Sequence, residues 1–152
     1  MDSFDKNILR ILQDDCTLPV SQIAEQIGLS TTPCWRRIQA LEKAGIIKAR
    51  VALVDPEKLN VGLTVFVMVK TNQHNPDWLE NFSNTIRDIP EIMEFYRLSG
   101  EIDYLLRIVV PDMKAFDAFY KRLITRADFS DISSSFAMEE IKYSTHLPVN
   151  YV

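Results

Sequence analysis

The stretch from Val20 to Gly45 restricts the fold more than any other part of the chain. The whole sequence has four glycines, and two of them, Gly28 and Gly45, close runs with helical apolar spacing. Ile23, Ala24 and Ile27 form the apolar face of a helix that begins near Val20. Gly28 then occupies the place of a left-handed C-terminal cap. Leu29 packs back, and Ser30 is a residue type that caps the start of a following helix. Ala24, four residues before Gly28, is small enough to let two helix backbones approach. Helix, tight glycine turn and second helix make the helix-turn-helix pattern.

The helix after Ser30 reads TTPCWRRIQALEKAG and ends at Gly45. Pro33 falls in its first turn, where a missing N–H does no harm. Cys34, Ile38 and Leu41 share one face; Thr32, Arg36, Gln39 and Lys43 lie opposite, flanked by Trp35 and Arg37. Arginine and glutamine pair with guanine and adenine edges in the major groove, and threonine contacts bases or phosphates. The candidate DNA contacts are therefore Thr31, Thr32, Trp35, Arg36, Arg37, Gln39, Lys43 and Arg50. Arg36 and Gln39 are assigned to base edges, and Arg37, Lys43 and Arg50 to phosphates. A solvated basic face is the competing reading, and the preceding glycine turn favours a recognition helix over it. Cys34 faces inward and reads as a small core residue.

Ahead of this motif, Asp2 or Ser3 caps a first helix with Phe4, Ile8, Ile11 and Leu12 on one face, and Thr17 to Pro19 interrupts it. Behind it, Ile46 to Val54 is β-prone and carries Lys48 and Arg50, which predicts a wing or connecting strand near the phosphate backbone. Asp55-Pro56 breaks that pattern. The expected organisation is a helix-turn-helix domain over 1–54, a linker over 55–62 and a second domain over 63–152.

Net charge is −4, but its distribution matters more than the total. Residues 1–60 carry eight basic and eight acidic side chains, so the acidic excess lies C-terminal. Residues 31–50 hold five basic side chains against Glu42 alone. A patch this small binds DNA best when several copies act together. No apolar run reaches the roughly 20 residues of a membrane span, and MDSFDKNILR has no signal-peptide pattern; a cytoplasmic protein without membrane contact is expected. Cys16 and Cys34 are expected as free thiols, and with His74 and His146 they form no metal-ligand spacing.

In the C-terminal part, GLTVFVMVKT reads as a strand and NPDWLENFSNTIRDIP as a helix with Trp78, Phe82 and Ile86 on one face. IMEFYRLSG and IDYLLRIVVP read as strands. DMKAFDAFYKRLIT is a helix facing inward through Met113, Phe116, Tyr120 and Leu123, and SDISSSFAMEEIKYS contains a last strand. The order β-α-β-β-α-β is the ferredoxin-like arrangement, an antiparallel sheet with both helices on one face. The fold class is α+β. The apolar runs at 63–69 and 104–110 look buried on both sides, so the second sheet face needs a cover, for which a second subunit is the natural candidate.

DKNILRILQ, the run from Ser30 to Ile47, VDPEKLNVG and SGEIDYLLRI, in this order, resemble the Lrp/AsnC family of regulators over essentially the whole chain. The resemblance implies a winged helix-turn-helix joined to a ferredoxin-like (RAM/ACT-like) effector domain. It implies homodimers that assemble further, often to octamers, and double-stranded DNA as partner. It also implies no cofactor but a small-molecule effector, an amino acid or related metabolite, bound near subunit interfaces. Carried over by position, the effector turn falls at Ser99, Gly100, Glu101 and Asp103, and a small polar stretch at Ser133, Ser134 and Ser135. Gly100 would let backbone N–H groups approach a carboxylate, and Asp103 would hold the ammonium. The competing reading makes Gly100 a plain turn residue and Asp103 its cap. Two other functions compete with this one. Some proteins similar to this family modify tetrapyrroles, but here Glu101 and Asp103 sit at a turn with no nucleophile or second base in view. A sensor without DNA binding is opposed by the cluster of Arg36, Arg37 and Gln39.

Overall fold

The computed structural model describes residues 1–72, 76–126 and 129–152; His74 lies outside the described residues. They divide into two compact units. One comprises Met1–Leu53 with Ile141–Val152, and the other Val54–Glu140.

The first unit contains α1 (Ser3–Asp14), α2 (Val20–Gln26) and α3 (Thr31–Lys43). Asp2 caps α1: its carboxylate accepts the Asp5 N–H at 3.0 Å, and the Asp5 carboxylate accepts the Asp2 N–H at 3.1 Å. Reciprocal capping of this kind satisfies two of the N–H groups that a helix start leaves unpaired. Ile8, Leu9, Ile23, Ala24, Cys34, Ile38 and Leu41 form the core. Gly28 has φ +71°, and beyond it the Leu29 N–H reaches back to the Ala24 carbonyl at 2.9 Å, which closes the turn between α2 and α3.

Three expectations for this unit change. Ser30 stands at the N-cap of α3, but its side chain makes no capping bond. A serine cap uses the N–H of the second or third helical residue, and the third here is Pro33, which has none. Residues 46–54 form no strand. A strand needs a hydrogen-bonding partner, and none of the described residues supplies one; Val51 and Leu53 are each left 67 % exposed. The third change concerns the C-terminal segment, expected with the second domain. Residues 141–152 belong with the helical unit instead. Gln13 brackets Leu147, donating to its carbonyl at 3.2 Å and accepting its N–H at 2.6 Å. Arg10 donates to Asn150 at 3.0 Å, and Val149 packs on the helical core.

The second unit contains β1 (Leu63–Lys70), α4 (Pro76–Arg87), β2 (Ile92–Arg97), β3 (Tyr104–Val110), α5 (Met113–Ile124) and β4 (Asp131–Phe136). The sheet order is β2-β3-β1-β4, with every pairing antiparallel. This is the expected β-α-β-β-α-β arrangement. The 55–62 segment is a turn: Asp55 accepts the Glu57 N–H at 2.9 Å, and the Val61 N–H reaches the Pro56 carbonyl at 2.9 Å.

Within one chain, α4 and α5 cover only one face of β1 and β3; the other is the face for which a second subunit is the expected cover. Val65, Val67 and Val69 of β1 and Tyr104, Leu106, Ile108 and Val110 of β3 are buried with Phe82 and Ile86 of α4 and Phe116, Phe119 and Leu123 of α5. The intervening residues, Thr64, Phe66, Met68, Leu105, Arg107 and Val109, are half-buried. Neighbouring side chains on a strand alternate between faces, so a continuous apolar run conceals which face is covered. α5 also turns differently from the expectation. Phe119 is buried where Met113 was expected, and Met113 is 57 % exposed.

Phe82 is the hub of this core. Its ring centroid lies 5.0 Å from that of Trp78, 5.3 Å from Phe95 and Phe129, and 6.0 Å from Tyr104. Phe82→Ala should cost about 3–5 kcal/mol of stability, from lost burial plus the cavity left behind. Urea unfolding followed by Trp78 fluorescence measures this, and a loss under about 1 kcal/mol would show that the aromatic cluster is not what holds the sheet to its helices.

Candidate DNA-reading face and ligand turn

The roll of α3 is set by Cys34, Ile38 and Leu41, which are 0, 1 and 5 % exposed. Burial also pushes the Cys34 thiol up, so it is protonated and inert. With that face committed, Thr31, Thr32, Trp35, Arg36, Gln39 and Lys43 are exposed, and Trp35 leaves 51 % of its surface in water. The helix thus separates its buried apolar face from the exposed candidate residues.

Arg37, expected on phosphate, is half-buried and already engaged in the free protein: its Nη1 lies 2.8 Å from both Asp2 Oδ2 and Asp5 Oδ1, and its guanidinium stands 5.3 Å from the centre of the Phe4 ring. The position flanks the buried face, which aims the side chain at the start of α1. Arg37 therefore ties α3 to the α1 capping box. The Asp5 carboxylate, then Asp2, raises the Arg37 pKa. The Asp5 backbone N–H, with help from Arg37, holds the Asp2 carboxyl below its usual range.

Glu42 organises the other end of α3. Its Oε2 accepts from Gln39 Nε2 at 2.8 Å and its Oε1 from Arg50 Nη2 at 2.9 Å. Arg50, expected on phosphate, is thus held against the helix in the free protein.

At one end of the sheet, the last residues of β1 meet the first of β3 and β4. Val69 pairs with Tyr104 and Lys70 with Asp131. The turn between β2 and β3 arrives here. Gly100 has φ +133°, a conformation that L side chains rarely adopt, and the Leu98 N–H donates to the Asp103 carbonyl at 2.8 Å. Asp103 is anchored twice: its N–H donates to the Val69 carbonyl at 3.0 Å, and its Oδ2 accepts the buried Thr71 N–H at 2.9 Å. Glu101 pairs with Lys70 at 3.0 Å while remaining 88 % exposed. Lys70 holds the Glu101 carboxyl below its usual range, and Glu101 raises the Lys70 pKa.

The three serines do not form one cluster. Ser133 pairs with Met68 and Ser135 with Phe66, so both lie on the open sheet face. Ser134 pairs with Val67 on the helix-covered face. Ser133 stands two residues from Asp131, which brings it towards the Lys70 end of the sheet, whereas Ser135 lies two residues further away. Among the described residues, no group of three His, Cys, Asp or Glu side chains can hold a metal, and no helix is long and apolar enough to cross a membrane.

Sequence reasoning missed Asp2, Asp5, Glu42, Lys70 and Thr71 as partners of the candidate residues. Glu42 had one signal, its position as the lone acid in a basic run. The others are distant in sequence from the groups they hold, and no spacing rule links them.

Arg37→Ala should lower the melting temperature of the helical unit and leave the salt dependence of DNA binding unchanged if its pairs with Asp2 and Asp5 persist on DNA. Asp2 has a depressed pKa when folded. Its contribution is therefore present above the unfolded carboxylate value, about 3.9, and is lost as pH falls through the lower folded value. The Arg37→Ala protein should lose part of that acid-side fall. Thermal melts between about pH 2 and pH 6 check it, and a salt slope flattened by one phosphate contact would return Arg37 to the DNA-binding set.

Comparison with known proteins matches both domains to known families. A winged helix-turn-helix DNA-binding profile matches residues 1–48, and the Lrp/AsnC ligand-binding domain matches residues 64–147. The chain is 49 % identical over 150 residues to the DNA-binding transcriptional activator DecR of Escherichia coli K12, covering 98 % of this chain and 99 % of that one. The crystal structure of an AsnC family transcriptional regulator from Agrobacterium tumefaciens has a TM-score of 0.97 at 57 % identity, over 99 % of both chains. A transcriptional regulator from Neisseria meningitidis, solved in complex with L-Met, has a TM-score of 0.94 at 38 % identity, over 99 % of this chain and 98 % of that one. With both domains matched in order along its length, the chain belongs to the Lrp/AsnC family of DNA-binding transcription regulators, which are not enzymes.

Proposed function

We propose that the outer face of α3 reads operator DNA and that a free amino acid, held at the β2–β3 turn of an assembled oligomer, tunes that binding. The one-sidedness of α3 carries the first part. Arg36, Gln39 and Lys43 are exposed on a helix whose opposite face is sealed by Cys34, Ile38 and Leu41. Arg36 is assigned to a guanine edge and Gln39 to an adenine edge. Thr31, Thr32 and Trp35 support the N-terminal half of the contact, and Lys43 meets phosphate. Arg50 joins the phosphate contacts once it leaves Glu42. A protein acting on DNA in this way works in the cytoplasm, without membrane contact.

The second part rests on the sheet. Phe66, Met68, Leu105 and Val109 are half-buried apolar residues on the face opposite the helices, edged by Tyr96 and interrupted at Arg107, which lies opposite Phe66 with its charge paired to Glu94. An apolar face whose one cation is already paired suits a second copy of the same chain, with dimers then joining into an octamer. Ser99, Gly100, Glu101 and Asp103 are the proposed effector residues, with Ser133 and Ser135 on the open face. Backbone N–H groups near Gly100 would take the carboxylate, and the Asp103 carboxylate, already accepting from Thr71, would share its charge with the ammonium. The L-Met bound to the Neisseria meningitidis regulator supports an amino acid as the ligand class. A site near a subunit interface couples ligand to assembly through differential affinity for the two states.

Two outcomes test this reading. Arg36→Ala should cost about 1–3 kcal/mol on operator DNA and relax base preference, whereas Lys43→Ala should weaken binding to all sequences and flatten its salt dependence. Unchanged affinity and selectivity in the Arg36 variant would misplace the reading face. The twenty amino acids should then be titrated calorimetrically into wild type and Asp103→Asn, with sedimentation of each mixture. At least one should bind wild type about tenfold or more tightly than the variant, as loss of a charge-assisted bond implies. The protein should sediment as an assembly throughout. Equal binding to both proteins, or a stable monomer at micromolar concentration, counts against the effector and assembly parts respectively.

A further inference from the structure

Glu42 is the only acid between residues 31 and 50, and it sits near the C-terminal end of α3. A carboxylate there faces the negative end of the helix dipole, a locally unfavourable placement. It lies on a helix meant to approach phosphates, where its charge opposes binding. Both of its oxygens are nevertheless engaged by residues of the DNA-reading set, Gln39 at 2.8 Å and Arg50 at 2.9 Å. Two thirds of the Glu42 side chain is shielded, which strengthens both contacts relative to open solvent.

The chemistry of the pair gives the arrangement a consequence. A glutamine amide has a donor end and an acceptor end that differ little in shape, and an unrestrained one turns over freely. A carboxylate only accepts, so it admits the NH2 end of Gln39 and turns the carbonyl oxygen away from itself. Adenine presents N7 as acceptor and N6–H as donor, and glutamine reads both only when its two ends arrive in the matching order. Arg50, in turn, is a cation whose charge is partly neutralised until it leaves Glu42.

We propose that Glu42 determines sequence specificity on the DNA-reading face: it fixes which end of the Gln39 amide meets the base and restrains Arg50 from binding phosphates of any sequence. This rests on the assignment of α3 as the reading helix. Glu42 touches no base; it acts through Gln39 and Arg50.

The test uses the full-length protein, a duplex selected from a random library by wild type, and a scrambled duplex of equal length. Binding is followed by fluorescence anisotropy across a salt series, and the library selection is repeated for each variant. Glu42→Gln removes the charge but keeps an oxygen that can accept from Gln39. It should raise affinity for the scrambled duplex and steepen the logarithmic salt slope by about one for each engaged DNA-binding head. Glu42→Ala should do the same and also lose about tenfold discrimination at a single base pair. Gln39→Ala should lose preference at that same base pair, and adding Glu42→Ala to it should change that position no further. A folded Glu42→Ala protein with the wild-type selection profile and salt slope overturns the proposal. Arg36→Ala run in parallel separates the two levels. If it loses base preference while Glu42→Ala does not, the role of Glu42 alone is wrong; if it too selects like wild type, the assignment of α3 fails and this proposal fails with it.

Discussion

Everything the helical unit can do depends on one close crossing. Ala24, 1 % exposed, allows α2 to lie against α3, and Cys34, Ile38 and Leu41 fill the space between them and α1. A larger side chain at 24 would push the helices apart, at a cost typical of overpacked cores, roughly 1–3 kcal/mol. More important for function, the crossing fixes the roll of α3 about its own axis. Because residues on a helix are spaced by a fixed rotation, settling three inward positions settles every outward one. Arg36, Gln39 and Lys43 face solvent because Cys34, Ile38 and Leu41 cannot.

The same logic explains why the charged residues near α3 divide into two groups. Arg36 and Lys43 point away from the core and make no ion pair among the described residues. Arg37 flanks the buried stripe and finds the two aspartates that cap α1. That contact links the start of the first helix to the middle of the third, so the capping box serves packing as well as helix initiation. Arg50 follows the helix and folds back on Glu42. A count of basic residues would treat all four alike; in the free protein Arg37 and Arg50 have carboxylate partners, whereas among the described residues Arg36 and Lys43 have none.

In the second unit the decisive constraint is the pleat. One face of the sheet is sealed by α4 and α5 around the Phe82 cluster, and the alternate residues emerge on the other face. That alternation splits Ser134 from Ser133 and Ser135, although the three are consecutive in sequence. It also draws together residues far apart in the chain: Lys70 with Glu101, Thr71 with Asp103, and Met68 with Ser133. The β2–β3 turn is anchored to the sheet, since Asp103 is bonded to the end of β1 through both its backbone and its side chain.

Local pattern in the sequence determined the helix-turn-helix, the order of strands and helices, and the outward face of α3. Periodicity and glycine position act over a few residues, within the span that a single element covers. Three matters were left to tertiary structure. The side of each strand that the chain's own helices cover depends on elements elsewhere in the sequence, so the apolar runs at 63–69 and 104–110 do not show which face α4 and α5 take. The partners of charged side chains depend on distance in space, so no spacing rule links Arg37 to Asp2 and Asp5, more than thirty residues earlier. The destination of residues 141–152 depends on the open face of α1, where Gln13 and Arg10 meet Leu147 and Asn150. That segment has no period of its own, and its place is set by hydrogen bonds spanning more than 130 residues, a separation at which sequence pattern carries no information.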